Sequence, residues 1–326
     1  MKVAVDVTPL RMTGAGTARY LRNLLARIEP EHDVRRVAFG GAGKASVLVR
    51  ELAWYPFALG RTRGVDVLHC PTYYGPLRSR VPLVVTVLDL SVFRYPDAFP
   101  RWMRTYVPRV APSVLRAARR ILAISEFTKR ELVDVLGVPE EKIAAVPLAV
   151  EREVFHPDGP AAVGEYVLAV ATLEPRKNLA RLVEATRRLG VELRVVGERG
   201  WGGVEVGGDG VRWLGRLSDE ELAEQYRGAA VVAYPSLYEG FGFPILEAMA
   251  CGAPVVTSWG GSTEEVAGDA AVIVDPFDVA AIAAGIEEAQ QRRDALRGRG
   301  FDRAAQFSWD ETARRTIDAY REAAGR

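Results

Sequence analysis

The chain has 326 residues, 48% of them hydrophobic and 26% charged, and its formal net charge is +1 at pH 7. These values are typical of a soluble globular protein, and the length suits two domains. The longest apolar runs have the length of a strand, well short of the roughly 20 residues that span a bilayer, and the first residues read as a buried strand rather than a signal peptide. Two cysteines make no disulfide framework, so we expect a cytoplasmic protein.

The charge is distributed unevenly along the chain. Residues 1–158 carry 24 Lys and Arg against 16 Asp and Glu, whereas the remainder carries 19 against 26. A basic first half indicates an anionic partner, such as a membrane surface or a phosphorylated acceptor. Ordinary solvation explains the same counts, so both interpretations stay open.

Apolar runs of strand length alternate with helical patterns along the whole chain. The first half has predicted strands at 3–7, 65–69, 83–88, 121–124 and 143–146 and helices at 18–28 and 127–136; the second half has strands at 166–171, 192–196, 211–214, 231–234 and 254–258 and helices at 179–189, from Pro244 and at 309–324. This alternation predicts parallel sheets with helices on both faces.

A linker is predicted near the middle of the chain, because residues 151–162 contain Pro157, Gly159 and Pro160 and interrupt the alternation. We therefore expect an α/β fold with two Rossmann-like, doubly wound domains, 1–158 and 159–326, that face each other across a cleft. Ligands bind such sheets beyond the carboxyl ends of the strands. The last helix, with Ser308 as its N-cap, is expected to cross back to the first domain.

The most informative stretch is residues 234–247, which begin where a strand ends. Gly240 and Gly242 let the backbone approach a ligand closely. A glycine-bearing loop that leads into a helix N-terminus is a natural anion site, because free N–H groups and the positive end of the helix dipole point towards it. Glu239, before the loop, and Glu247, on the helix, are candidates for accepting hydrogen bonds from sugar hydroxyls.

A second candidate stretch, residues 171–179, also follows a strand and precedes a helix. Its adjacent cations, Arg176 and Lys177, are suited to neutralising the charge that develops on a diphosphate leaving group without a metal. The three histidines and two cysteines are scattered and show no metal-ligand spacing. We expect neither a metal nor another cofactor.

Glu239 and Glu247 form an E-x7-E pair inside PSLYEGFGFPILEAMACGAPVV, and the stretches SEFTKREL and EPRKN precede it. With the glycine-bearing loop at 13–17 and the closing FSWDETA, the sequence resembles, over nearly its whole length, the GT-B retaining glycosyltransferases called family 4 (glycosyl transferases group 1). The resemblance implies a GT-B fold and a retaining, metal-independent transfer of a mannose- or glucose-type hexose. The donor would be GDP- or UDP-linked, and the acceptor a hydroxyl of a glycan or lipid-linked molecule in cell-envelope polysaccharide biosynthesis, with no nucleic-acid partner.

The resemblance also implies a role for each residue that matches the family pattern. The implied catalytic residues are Arg176 and Lys177 on the donor diphosphate, Glu239 beside the donor sugar, and Asp89 towards the acceptor hydroxyl or the sugar. The implied donor-binding residues are Gly16, Gly215, Arg216, Leu217, Gly240, Phe241, Gly242 and Glu247. Among these, Gly16 would face the distal phosphate, residues 215–217 the base and Glu247 the ribose.

One position departs from the family pattern. Many members carry His–Asp at the end of the strand that here reads VVTVLD, whereas this chain has Leu88 before Asp89. A non-catalytic protein that binds nucleotide sugars with the same fold is therefore an alternative. A nucleotide-cofactor oxidoreductase is a second one, although the third glycine of its G-x-G-x-x-G fingerprint is replaced here by Arg19.

Six arginines and no acidic residue lie between Arg101 and Arg120, on an amphipathic helix that Pro108 and Pro112 are expected to interrupt. The basic face is either an ordinary solvated surface or a peripheral contact with an anionic membrane, at its inner face. Both interpretations stay open.

Two polar residues are expected to have structural roles. His69 lies at a strand end facing the presumed cleft, and single histidines in apolar runs are commonly satisfied by backbone hydrogen bonds. Ser125 precedes a helical pattern and is expected to be its N-cap.

Overall fold

The computed structural model describes residues 1–12, 16–41, 43–198, 200 and 207–326. They form two compact units, each built on a parallel six-stranded sheet. Unit 1 comprises Met1–Arg94, Pro100–Leu148 and Ser308–Arg326, and unit 2 comprises Tyr95–Phe99 and Ala149–Phe307. The predicted fold class, two doubly wound α/β units, is confirmed.

The sheet of unit 1 consists of β1 (Lys2–Asp6), β2 (Asp33–Val37), β3 (Val67–Cys70), β4 (Leu83–Val87), β5 (Arg120–Ala123) and β6 (Ile143–Ala145), in the order β2-β1-β3-β4-β5-β6 with all neighbours parallel. Its helices are α1 (Pro9–Met12), α2 (Gly16–Ile28), α3 (Lys44–Val49), α4 (Ser91–Arg94), α5 (Arg101–Ala117) and α6 (Glu126–Leu136), and a π-helical segment (Arg50–Ala58) continues α3. The central strands β3 and β4 are buried at every position, as expected where helices cover both faces of a parallel sheet.

The sheet of unit 2 consists of β7 (Tyr166–Val170), β8 (Glu192–Val196), β9 (Val211–Gly215), β10 (Val231–Tyr234), β11 (Val255–Ser258) and β12 (Ala271–Val274), in the order β12-β11-β10-β7-β8-β9 with all neighbours parallel. Its helices are α7 (Leu179–Leu189), α8 (Asp219–Gly228), α9 (Phe243–Ala250), α10 (Ser262–Ala267), α11 (Val279–Gln291) and α12 (Arg293–Ala305). The strand order reverses direction at β7 and β10, which is where ligands bind doubly wound sheets.

The last helix, α13 (Trp309–Ala324), belongs to unit 1 and packs against α2 and strands β3 to β5. Its N-cap is Ser308, whose hydroxyl accepts hydrogen bonds from the backbone N–H groups of Asp310 and Glu311. The predicted return of this helix to the first domain and its cap are both confirmed. The N-cap role of Ser125 is also confirmed, since its hydroxyl accepts from the backbone N–H of Thr128 at the start of α6.

Helix α5 continues through both of its prolines, so the predicted interruption at Pro108 and Pro112 is wrong. Its buried side chains are Val107, Ala111, Val114 and Leu115. The packing of this apolar stripe against the core of unit 1 offsets the two backbone hydrogen bonds that the prolines remove. No helix within the described part of the chain combines the length and the apolarity needed to cross a membrane.

A buried chain of polar side chains lies beneath α13. His69 hydrogen-bonds Thr86 through Nε2 (2.8 Å) and Tyr320 through Nδ1 (2.7 Å), and Thr86 also contacts the Tyr20 hydroxyl (3.0 Å). His69 therefore has a structural role, as predicted, but the hydrogen-bond partners of its ring nitrogens are side chains and not backbone groups. Burial lowers the pKa of His69 to about 3, so the imidazole is neutral at physiological pH.

Candidate active site

Four charged side chains meet at the carboxyl ends of β7 and β10, which are neighbours in the sheet of unit 2. Lys177 Nζ lies 2.5 Å from Glu239 Oε1, and Arg176 donates through Nη1 to Glu239 Oε2 at 2.8 Å. Arg176 also contacts Glu174 Oε1 through Nη2 at 2.8 Å. The structure therefore brings together three of the predicted catalytic residues, Arg176, Lys177 and Glu239, and adds a second carboxylate that the sequence reasoning did not include.

Glu239 is a buried but ionised carboxylate. Burial by itself raises the pKa of a carboxyl group, but the adjacent Lys177 and Arg176 outweigh that effect and lower the pKa of Glu239 to about 2. The pKa of Lys177 is lowered by burial, and Glu239 counters part of that change. Two cations facing two carboxylates, Glu174 and Glu239, give this cluster no net formal charge.

Tyr234, the last residue of β10, hydrogen-bonds both Lys177 and Glu239. Lys177 donates to the Tyr234 hydroxyl at 2.9 Å, and that hydroxyl donates to Glu239 Oε1 at 2.8 Å. Burial, followed by the nearby Glu239, raises the pKa of Tyr234, so the phenol stays protonated as a donor. Tyr234 was not among the predicted site residues; the available signal was its position at a strand end, directly before the glycine-bearing loop.

Asn178 fixes the turn that carries the cations. Its backbone φ of 59° lies in the left-handed region, and no other non-glycine residue in the described ranges has a positive φ. Its side-chain amide donates to the carbonyls of Pro235 (3.0 Å) and Pro276 (2.6 Å). The backbone N–H of Leu237 donates to the Arg176 carbonyl at 2.7 Å. The cation-bearing turn and the loop after β10 are thereby held together.

The loop after β10 leads into α9 as predicted. The Ser262 hydroxyl donates to the Glu239 carbonyl at 2.7 Å, and both Gly240 and Phe241 are buried. Gly242 adopts a φ of 117°, which side chains rarely tolerate, and a Cβ there would lie 3.1 Å from Ile245 Cδ1. Glycine is thus required at the residue that precedes the first turn of α9.

Glu247 is buried on α9 and accepts a hydrogen bond from the Tyr226 hydroxyl at 2.6 Å. The Tyr226 ring in turn packs edge-on against Phe155. This places the predicted ribose-binding carboxylate in a fixed orientation. Its role towards a ribose stays a prediction, as does that of Tyr226, which the sequence analysis did not single out.

The three residues predicted to line the base lie at the end of β9. Gly215 has a φ of 71° and its carbonyl accepts from the Gly197 N–H at 2.9 Å. Arg216 is exposed and pairs with Glu198 at 2.7 Å, and Leu217 is half-buried. Their contact with a base stays a prediction.

Two further predicted residues belong to unit 1. Gly16 is the first residue of α2, and residues 13–15 of the predicted glycine-bearing loop lie outside the described residues. Asp89 follows β4, and its Oδ1 accepts hydrogen bonds from the backbone N–H and the hydroxyl of Ser91 (2.9 and 2.5 Å). Asp89 thus caps the turn that leads into α4, and its role towards an acceptor or a sugar stays a prediction.

In the described ranges, no three His, Cys, Asp or Glu side chains are grouped so that they could hold a metal ion. The two carboxylates of the charge cluster, Glu174 and Glu239, form ion pairs with Arg176 and Lys177.

Both halves of the sequence match known families. Residues 14–154 match the family described as Glycosyltransferase Family 4, and residues 152–300 that described as Glycosyl transferases group 1. The chain is 37% identical over 283 residues to the O-antigen chain mannosyltransferase B of Escherichia coli, covering 78% of this chain and 74% of that protein. It is 32% identical over 300 residues to the MMP alpha-(1->4)-mannosyltransferase of Mycolicibacterium hassiacum, covering 82% and 73%.

Solved structures with the same fold cover nearly the entire chain. The Anabaena protein Alr3699/HepE, in complex with UDP and glucose, is similar with a TM-score of 0.75 and 19% identity over 98% of each chain. The sucrose-phosphate synthase of Thermosynechococcus elongatus is similar with a TM-score of 0.74 and 19% identity, covering 99% of this chain and 98% of that one.

Proposed function

Since the chain belongs to the family 4 glycosyltransferases (glycosyl transferases group 1), we propose that it moves a mannose- or glucose-type hexose from a GDP- or UDP-linked donor to an acceptor hydroxyl. The acceptor would be a glycan or a lipid-linked molecule in cell-envelope polysaccharide biosynthesis. The names of the two mannosyltransferase relatives support mannose. Transfer would retain the anomeric configuration and need no metal.

The observation that carries this proposal is the cluster of Arg176, Lys177 and Glu239 beside the loop that leads into α9. A guanidinium and an ammonium group side by side match the oxygens of a diphosphate and stabilise the charge that appears on it when the sugar bond breaks. Glu174 and Glu239 balance these cations in the free protein, so an arriving diphosphate must take over some of their hydrogen bonds.

The charge state of Glu239 bears on its role. A carboxylate whose pKa is about 2 is ionised at neutral pH and is too weak a base to accept a proton efficiently. It accepts hydrogen bonds only, which suits it to bind and orient hydroxyl groups of the donor sugar. We propose that the leaving phosphate takes the proton of the acceptor hydroxyl, which attacks from the face that the phosphate leaves.

We also propose a cytoplasmic protein that contacts the inner face of an anionic membrane through the basic face of α5. Arg101, Arg104, Arg109 and Arg116 are exposed along this helix. A position at the membrane would bring the enzyme to a lipid-linked acceptor.

Binding and transfer are tested separately. Thermal unfolding is measured with UDP, GDP, ADP, TDP and their common sugar conjugates, with and without EDTA, because a ligand of the folded state raises the melting temperature. A shift with one nucleotide that EDTA leaves unchanged identifies the donor base and supports metal independence. Transfer of radiolabelled sugar to an acceptor panel then measures turnover, and the anomeric proton coupling of the product distinguishes retention from inversion.

The variants Lys177→Ala and Glu239→Ala should lower turnover by about 100-fold or more while circular dichroism stays unchanged. The matched controls are Arg188→Ala and Glu184→Ala, which break an exposed ion pair on α7 in the same unit. No shift with any nucleotide, or wild-type turnover in both site variants, would refute the assignment. Donor binding without transfer to any acceptor would favour a protein that only binds the nucleotide sugar.

A further inference from the structure

Exposed apolar side chains are concentrated on one part of unit 1. Within the described residues, eight large apolar side chains are exposed, and five of them lie on α3, on the π-helical segment that follows and on α5. These five, here called the apolar patch, are Leu48, Val49, Leu52, Phe57 and Trp102, each between 48% and 61% exposed. Contiguous exposed apolar groups on a protein surface indicate a surface that is covered by a partner.

The π-helical segment buries its two charged residues and leaves two large apolar side chains exposed. Its charged residues, Arg50 and Glu51, are buried and pair with each other at 3.2 Å, and Arg50 also donates to the Gly41 carbonyl at 3.3 Å. Leu52 and Phe57 on the same segment point outwards, 56% and 61% exposed. A segment that buries its charged side chains while Leu52 and Phe57 stay exposed is suited to a surrounding that is not water.

The basic face of α5 adjoins this segment. The Tyr106 hydroxyl of α5 donates to the backbone carbonyl of Glu51 at 2.5 Å. Trp102 lies one helical turn before Tyr106 and therefore on the same side of α5. The exposed Arg109 follows Trp102 by seven residues, close to two turns, so arginine and tryptophan share the outward surface. The Tyr106–Glu51 hydrogen bond thus places the helix that carries the arginines and Trp102 beside the segment that carries Leu52 and Phe57.

We propose that the apolar patch is inserted into the interface of an anionic lipid bilayer while the arginines of α5 contact lipid phosphates. This combination of apolar side chains and arginines is what peripheral proteins use at such surfaces. A second copy of this chain is a poorer occupant, because a symmetric contact would bring the arginines of α5 against each other. The proposal extends the α5 contact above, and lipid binding does not depend on sugar transfer.

The test is flotation of the full-length protein with vesicles of phosphatidylcholine alone or mixed with phosphatidylglycerol. The wild type should float with the anionic vesicles and much less with the neutral ones. The double variant Leu52→Ser/Phe57→Ser should lower the apparent affinity for anionic vesicles at least about tenfold, since apolar burial drives insertion. Arg101→Gln/Arg109→Gln should lower it as well, and its remaining binding should depend less on salt.

Matched controls lie in unit 2. Phe277→Ser removes an apolar side chain that is 59% exposed, and Arg188→Gln removes an exposed charge from α7. Both should bind anionic vesicles like the wild type. All variants should keep the wild-type circular dichroism and the wild-type thermal shift with nucleotide, which separates loss of docking from loss of the donor site.

Three results would overturn the proposal. The first is wild-type protein that stays unbound with anionic vesicles, and the second is a Leu52→Ser/Phe57→Ser variant that floats as well as the wild type. The third comes from sedimentation velocity without lipid: an oligomeric wild type that becomes monomeric in the same variant assigns the apolar patch to a protein interface.

Discussion

The hydroxyl of Tyr320 lies 2.7 Å from Nδ1 of His69, and this buried hydrogen bond joins the last helix of the chain to the third strand. Because Thr86 occupies the other imidazole nitrogen, both nitrogens of the ring are satisfied inside the core of unit 1. The orientation of α13 on the sheet is thereby specified by polar groups in addition to apolar packing.

Tyr320→Phe should destabilise the protein by about 1–3 kcal/mol, because it leaves an imidazole nitrogen buried without a partner. The free energy of unfolding in urea measures the effect. Tyr74→Phe is the control: Tyr74 is half-buried and stacks on Tyr55 and Tyr106, and the ring contacts survive the change. Equal stability of Tyr320→Phe and the control would show that the hydrogen bond contributes nothing.

Acidification should destabilise unit 1 through His69. The unfolded chain binds a proton at His69 below its ordinary pKa of 6.5, whereas the folded protein does so only near 3. The stability that depends on the neutral ring is therefore complete well above about pH 6.5 and is lost as the pH falls through that value, with a slope that approaches about 1.4 kcal/mol per pH unit. Urea unfolding between about pH 6.5 and 5 measures this slope, above the range in which Glu239 becomes protonated.

The control for that slope is His69→Gln, which has no titrating group at this position. Over this interval the pH dependence of its unfolding free energy should be weaker than that of the wild type by about 1 kcal/mol per pH unit on average. An identical slope in the two proteins would mean that other groups carry the acid sensitivity.

Asn178→Ala should destabilise unit 2 by about 2–4 kcal/mol. The change removes both donors to the buried carbonyls of Pro235 and Pro276 and places a Cβ-bearing residue without a polar side chain at φ 59°. Asn178→Gly loses the same hydrogen bonds but tolerates the backbone conformation, so it should be more stable than the alanine variant by about 1 kcal/mol. Urea unfolding separates the two contributions, and alanine as stable as glycine would contradict the backbone part.

Two variants of the charge cluster should change nucleotide affinity in opposite directions. Lys177→Met removes a cation and should weaken binding of UDP or GDP at least about tenfold. Glu174→Gln removes a carboxylate that competes for Arg176 and should strengthen binding severalfold, because the two cations of the cluster are then balanced by Glu239 alone. Isothermal titration calorimetry measures both, with Glu184→Gln on α7 as the control. Weaker binding by Glu174→Gln would mean that Glu174 positions Arg176 for the donor and does not compete with it.

Most of the regular structure follows from local sequence signals. Helix α7 and strands β8 and β10 have the predicted bounds, because each apolar pattern is followed by a residue that ends it, namely Gly190, Gly197 and Pro235. Strand β2 was not predicted: its sequence, DVRRV, is polar because it lies at the edge of the sheet and is largely exposed. Helix α5 shows the opposite case, in which tertiary packing overrides a local helix breaker.

The candidate site was predictable where a motif carries its residues, and less so where the fold assembles them. Arg176, Lys177 and Glu239 were named from their flanking sequences, and the structure places them in contact. Tyr234 and Tyr226 were not: the only local signal for Tyr234 is its position at a strand end, and Tyr226, within a helix, has no local feature that distinguishes a hydrogen-bonding role from core packing. The partners of His69 were missed because they are distant in sequence: Thr86 lies 17 residues away and Tyr320 lies 251 residues away.

The assignment of α13 to unit 1 has a consequence for biosynthesis. A ribosome makes the strands of unit 1 first, then all of Ala149–Phe307, and only afterwards the helix that covers β3 to β5. His69 and the apolar side chains that α13 covers therefore remain exposed to solvent while unit 2 is synthesised. Unit 2 contains nearly all of its residues in one continuous stretch and is positioned to fold first, although it is encoded second.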